Sequence, residues 1–309
     1  MKKAILIMIT VATFSGCKQK ETPQNTAAVT ALKPVVYVSN YPVYYFADRI
    51  GGNAIDLRFP AGSLSDPSGW TPVADTIAAM QSADLILVNG ASFENWMMNV
   101  SLPEEKVVST SESFKNQLLS SGATFTHSHG DEGEHAHEGT AFTTWLNLEL
   151  AAKQAEQVKS ALVQLQPEQK EVFEKNYTEL TSDLNTLHEA FQHSVPEGNT
   201  TTVAFSHPVY QYLTEAYGIE GKSLHWEPET PINHDMEHEI EHLMKDEGVT
   251  WIIWEGEPLP ENVEKLSRMG IKSVVITPMG GQPGDTDFLK GMEKNLEAIK
   301  KIYGTRDKL

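Results

Sequence analysis

Four histidines, His127, His129, His135 and His137, fall within the stretch THSHGDEGEHAHEG, among Asp131, Glu132, Glu134 and Glu138. Imidazole and carboxylate are the side chains that hold zinc-class cations when thiolate is absent, and a tract this dense in histidine points to metal contact. The tract has no apolar anchor, so it is expected to lack fixed structure without metal and to capture cations weakly. The plainer reading of the same residues is a solubilising acidic loop.

Further candidate ligands stand elsewhere. His207 follows the apolar run TVAFS, and Glu255 closes WIIWE, with Glu257 two residues on. In an open α/β sheet, residues just past the strands' carboxyl ends face the crevice where ligands bind. His225 and Glu227 end SLHW-E two residues apart and would share one face of a regular strand. His234, His238 and His242 are spaced by four and share one helix face. A solvated polar face explains that spacing equally well. Trp70, Trp145, Trp226 and Trp254 lie near these segments, either as core or as the lining of a cleft for an organic or chelated ligand.

The elements that must position these residues alternate. Short β-branched runs at 35–39, 55–59, 85–89 and 107–110 are interleaved with helical patterns at 43–50, 72–82 and 93–98. The alternation returns with strands at 202–206, 223–226, 251–255 and 273–277 and helices at 209–217, 234–247, 260–269 and 287–303. Such alternation predicts parallel sheets with helices on their faces. Between the two sets, 147–192 is helical, broken at Gln166-Pro167-Glu168; Pro167 suits the first turn of a new helix. The fold expected is α/β: two lobes, each a mostly parallel sheet flanked by helices, joined by one long backbone helix.

Bulk properties narrow the function. The 309 residues carry a formal charge of −18 and are 40% hydrophobic. That balance disfavours nucleic acid, whose phosphates call for Lys and Arg, and suits cation attraction. One cysteine, Cys17, excludes a disulfide framework and cysteine-built zinc sites. Neither G-x-S-x-G nor a P-loop pattern occurs, and the adjacency of Ser206 and His207 is not a triad, so no enzyme activity is expected.

The chain opens MKKAILIMITVATFSGC. Two lysines precede an apolar run too short to span a bilayer comfortably, which reads as a signal peptide. The small-small-Cys ending resembles a bacterial lipobox, which implies cleavage before Cys17 and its acylation as a membrane anchor. A plain secretory signal with a cysteine at the cleavage point is the alternative. The polar, small residues that follow read as a flexible tether.

Several longer segments carry a family resemblance: YPVYYFADRIGG; DPSGWTPVADTIAAMQSADLILVNGASFENWM; WLNLELAAKQAEQVKSALVQLQPEQKEVFEKNY; AFSHPVYQYLTEAYGI; WIIWEGEPLPENVEKL; and FLKGMEKNLEAIKKIYG. In this order the chain resembles the solute-binding lipoproteins of bacterial zinc and manganese ABC importers. The resemblance implies two lobes joined by a rigid helix, an ion held between them by three histidines and a carboxylate, a membrane ABC permease as partner, and a His-rich loop where 127–137 lie. The ligand positions it implies are occupied by Ser68, Thr143, His207 and Thr277. Neutral hydroxyls are poor zinc ligands, so this site is either lost or rebuilt.

The expected division is a signal peptide over 1–16, a lipid-anchored tether over 17–33, an N-terminal α/β lobe over 34–166 with the His-rich loop 126–139, a linking helix over 167–194, and a C-terminal α/β lobe over 195–309. The expected protein is a monomeric, extracytoplasmic, membrane-anchored metal-binding lipoprotein that delivers Zn²⁺ to a permease. His207, Glu255 and His225 are its cleft ligands, and His127, His129, His135 and His137 are its accessory collector. Mn²⁺ is the less favoured ion, because it prefers oxygen-rich sites. A binding protein for an organic or chelated ligand, and a metal-buffering or adhesin-type lipoprotein without a permease, are the alternatives.

Overall fold

Asn40 starts the first helix. Its side chain accepts the Val43 N–H at 3.1 Å and Pro42 sits in the first turn, so α1 (Tyr41–Gly51) begins two residues before the apolar pattern predicts. This helix connects β1 (Val35–Val38) to β2 (Asp56–Arg58), and α2 (Ala74–Gln81) connects β2 to β3 (Leu85–Val88). With β4 (Val107–Ser109) these strands form an all-parallel sheet ordered β2-β1-β3-β4. The computed structural model describes residues 32–128 and 134–304, with 123–128 and 134–138 given by their backbone. The expected signal peptide, most of the tether with Cys17, and His129 lie outside the described residues.

The second sheet repeats the plan. β7 (Thr202–Phe205), α5 (Gln211–Tyr217), β8 (Glu220–Ser223), α6 (His234–Glu247), β9 (Trp251–Trp254), α7 (Pro260–Met269) and β10 (Lys272–Val275) follow in turn, with all-parallel order β10-β9-β7-β8. In both sheets the first strand is central, the second lies on one side of it and the third on the other. Each therefore has a topological switch point between its first and third strands.

Two helices link the sheets: α3 (Leu148–Leu165) and α4 (Lys170–Ser194), separated by a 3-10 turn at Pro167–Gln169. At ~1.5 Å per residue, α4 is about 38 Å long. α8 (Phe288–Tyr303) returns from the second sheet to the first half of the chain, where Phe288 packs 5.6 Å from Tyr45 and 5.4 Å from Phe46. One continuous core joins Val38 and Leu87 of the first sheet to Phe205 and Ile253 of the second through α3 and α4. The expected α/β architecture, with parallel sheets flanked by helices and a long helix, is what forms.

Three elements depart from expectation. The segment expected as a helix over 93–98 is a 3-10 turn at Asn95–Asn99. The edge strand of the second sheet is Glu220–Ser223 and not 223–226. And the described parts of the His-rich segment have structure: β5 (Ser120–Ser128) and β6 (Glu134–Thr140) pair antiparallel, with His127 opposite His135 and Phe125 opposite His137. The base of the pair is fastened by the Tyr212 hydroxyl, which accepts the Leu119 N–H at 3.0 Å and donates to the Ala141 carbonyl at 3.1 Å. Among the described residues no helix is long and apolar enough to cross a membrane.

Candidate metal centre

The two switch points differ in chemistry. Past β1 and β3 of the first sheet stand Ser39-Asn40 and Asn89-Gly90, all buried or nearly so. Asn40 donates to Asn89, which also accepts from Gln154, while the buried Glu94 carboxylate accepts the Asn89 and Gly90 N–H groups at 2.6 and 3.0 Å. Burial pushes Glu94 up to about 7. This network is internally satisfied, with none of its buried side-chain atoms left without a partner.

Past β7 and β9 of the second sheet stand Ser206-His207 and Glu255, and here the switch point is open. The His207 side chain keeps 32% of its exposure and that of Glu255 keeps 22%. Ser206 fixes the arrangement. Its N–H donates to the Ile253 carbonyl at 2.8 Å, its carbonyl accepts the Trp226 N–H at 2.8 Å, and its hydroxyl accepts the Glu255 N–H at 3.2 Å. One buried residue thus ties together the three segments that carry His207, His225 with Glu227, and Glu255.

The side chains converge accordingly. His207 Nε2 lies 3.7 Å from a Glu227 oxygen, and His207 Nδ1 lies 3.9 Å from a Glu255 oxygen. The His225 ring sits edge-on to the His207 ring, with centroids 5.7 Å apart. Burial first, and then the negative charges of Glu227, Asp66 and Glu229, push the Glu255 carboxyl up to about 7. A carboxylate held near other carboxylates and out of water is stabilised by any cation that replaces its proton.

Among the described residues, no three His, Cys, Asp or Glu side chains form a ready-made metal group. The geometry gives the reason. Glu227 and Glu255 approach different nitrogens of one imidazole, so a single ion on His207 meets one of them directly. Glu227 is 60% exposed and free to re-aim, whereas Glu255 is held by its strand.

The hydroxyl residues are otherwise engaged. Ser68 donates through its N–H and its Oγ to Asp66 at 2.9 and 2.8 Å, and Thr143 Oγ1 donates to the Val209 carbonyl at 2.6 Å. Thr277 has its N–H and its carbonyl taken by the Asn295 amide. Segment 277–281 is itself clamped to the first half of the chain. Trp145 Nε1 donates to the Pro278 carbonyl at 2.6 Å, Tyr41 N–H to the Gly280 carbonyl at 2.8 Å, and Gly281 N–H to the Ser65 carbonyl at 3.1 Å. A Cβ on Gly281 would come within 1.9 Å of the Leu64 carbonyl oxygen, so only glycine fits there.

The expected candidates His207, Glu255 and His225 come together. Glu227, weighed with His225 in the sequence, joins them, although neither residue lies on a regular strand. Asp66 and Glu229 sit in irregular loops, where the sequence has no period to point to them. His127, His135 and His137 lie on β5 and β6, apart in sequence and element from this cluster. Trp145, Trp226 and Trp254 are buried to within 2% and Trp70 packs edge-on against Trp96, so the tryptophans form core and do not line an aromatic cleft.

A family model described as zinc-uptake complex component A, periplasmic, matches residues 36–302. The zinc-binding lipoprotein AdcA of Streptococcus pneumoniae is 26% identical over 271 residues, 84% of this chain and 54% of the relative. The chain thus spans about half the length of that protein. The high-affinity zinc uptake system protein ZnuA of Bacillus subtilis is 26% identical over 288 residues, 86% of each chain. The crystal structure of the Zn(II)-bound ZnuA-like domain of S. pneumoniae AdcA covers 89% of this chain and 100% of its own, with a TM-score of 0.76 at 22% identity, a likeness of fold.

Proposed function

The chain belongs to the zinc-uptake complex component A family, and from that premise we propose that it is an extracytoplasmic solute-binding lipoprotein that captures Zn²⁺ and delivers it to an ABC permease. The supporting observation is the convergence of His207, His225, Glu227 and Glu255 at the open switch point of the second sheet. In this reading the site is rebuilt within the second half of the chain, because hydroxyls replace the ligands that the first half and segment 277–281 would supply.

The chemistry follows from the donor types. The carboxylates draw the cation, and binding offsets the burial and then the repulsion that raise Glu255. His207 and Glu255 supply the first two bonds. His225, or Glu227 after a change of rotamer, supplies the next. Two imidazoles favour zinc over manganese, which selects oxygen. The event is capture and release, with no covalent step. The division into a signal peptide over 1–16, a tether from Cys17 to 33, lobes over 34–166 and 195–309, and a linking helix over 167–194 belongs to the same reading. So does an anchor on Cys17, which Cys17→Ala tests: the variant leaves the membrane fraction if Cys17 is the acylated residue and stays in it if the anchor is elsewhere.

Competition against a chromogenic zinc chelator tests the site. His207→Ala is expected to weaken the tightest site at least tenfold, equivalent to about 1.4 kcal/mol. Unchanged affinity would remove His207 from the site. A variant of normal affinity that fails to support zinc uptake in cells separates delivery to a permease from mere buffering.

A further inference from the structure

The stretch His238-Glu239-Ile240-Glu241-His242 fits H-E-x-x-H, the spacing by which one helix presents two imidazoles to a single zinc ion. In the structure it lies within α6, whose N-cap Asn233 accepts the Met236 N–H at 3.0 Å. Ile240 is fully buried, and Met236, Leu243 and Met244 pack beside it on the second sheet. The opposite face carries His234, His238 and His242, all exposed. The His238 and His242 rings have centroids 4.6 Å apart at an interplanar angle of 65°.

That separation is close to what a shared ion requires. With Zn–N bonds of ~2.0–2.1 Å and a tetrahedral angle between them, the centroids of two ligating imidazoles fall roughly 5 Å apart. His242 Nδ1 also lies 3.8 Å from an Asp246 oxygen, one further turn along the helix. At this distance Asp246 attracts that ring nitrogen by charge, short of a hydrogen bond, and leaves the other nitrogen for metal. Glu239 occupies the position of the general base in zinc proteases of this pattern. Here it accepts the Trp226 Nε1–H at 2.9 Å and is drawn towards the sheet, so the pattern serves as a grip and not as a hydrolytic centre.

We propose that His238 and His242 form a second, surface zinc-binding site on α6, a two-imidazole grip completed by water and assisted by the charge of Asp246. It stands independently of the cleft site, since it shares none of its ligands. The two sites are nonetheless neighbours in the fold, because Glu239 holds the indole of Trp226, which lies between His225 and Glu227 in the chain.

The test is zinc stoichiometry of the full chain by equilibrium dialysis at saturating Zn²⁺, for the unmodified protein, His238→Gln, His242→Gln and the double variant. Both positions are exposed, so folding is retained, and helical circular dichroism checks that. Each single variant and the double variant are expected to bind one equivalent fewer, while chelator competition at the tightest site is unchanged. Stoichiometry equal to the unmodified protein in the double variant would overturn the proposal. Loss of an equivalent in only one of the two single variants would overturn the shared grip as well. A failed cleft reading would show instead in His207→Ala, so the two outcomes are separable.

Discussion

The buried hydroxyl of Ser206 accepts the backbone N–H of Glu255 at 3.2 Å, across the boundary between the two strands that flank the switch point. Through that bond the residue before His207 sets the depth of the carboxylate that faces His207. A three-atom link thereby positions two proposed ligands that are 48 residues apart in sequence.

Ser206→Ala should therefore act on both stability and affinity. The Glu255 N–H loses its acceptor in a largely buried setting, at a cost of about 1–3 kcal/mol. Zinc affinity should fall several-fold although no ligand is removed. Denaturant midpoints and chelator competition on the same samples check this, and Ser206→Thr, which keeps the hydroxyl, should recover most of the affinity. Equal affinity in Ser206→Ala and the unmodified protein would show that the bond does not position Glu255.

Stability and zinc binding should respond to pH in opposite senses. The folded-state value of Glu255, about 7, lies above the ordinary 4.5. The folded chain then holds more protons than the unfolded one between those values, and metal-free stability falls as pH rises through that window. Zinc requires the deprotonated carboxylate, so affinity rises over the same window and levels off above it. Glu94, also raised to about 7, contributes to the stability term alone. Melting at several pH values should therefore show a shallower slope in Glu255→Gln than in the unmodified protein, but not a flat one. A slope unchanged by this substitution would mean that Glu255 titrates normally.

The elements that position this site were largely legible in the sequence, and the failures have physical causes. The helices over 234–247 and 260–269 are legible to the residue, because their apolar stripes, Asn233 and Pro260 mark both face and start. His207 and Glu255 were legible because each directly follows a buried apolar strand. The strand Glu220–Ser223 was not, since it is a polar edge strand and its Gly221 lies against the Phe205 ring, where a Cβ would be only 2.2 Å away. Leu224 and Trp226 just beyond it alternate with exposed residues and imitate a strand, while their N–H groups bond to Phe205 and Ser206 past the end of the ladder. The paired strands β5 and β6 are not legible for a related reason: Ser, Thr, Gly and His on one and His, Glu and Gly on the other leave no sustained apolar alternation to read. The pairing of Glu255 with Asp66 and Glu229 depends on loop conformation, which no periodicity encodes.

Excision of 126–139 should lower zinc stoichiometry and leave the fold intact. Ser120 pairs with Thr140, and Ala141 N–H donates to the Leu119 carbonyl at 2.9 Å, so residues 121–125 can close the shortened loop over a base that remains tied to Tyr212. Calorimetric melting of the metal-free variant should match that of the unmodified protein, and dialysis should find less zinc bound. A large drop in melting temperature would show that the excised segment supports the fold, and undiminished stoichiometry would show that its histidines do not collect metal.

In the proposed function zinc sits at the second sheet's switch point, on ligands other than the hydroxyl positions. An anomalous difference map from zinc-loaded crystals, recorded at the zinc edge, tests it most directly. Its strongest peak is expected within bonding distance, ~2.0–2.2 Å, of a His207 nitrogen and a Glu255 oxygen. A strongest peak elsewhere, with none at His207, would contradict it.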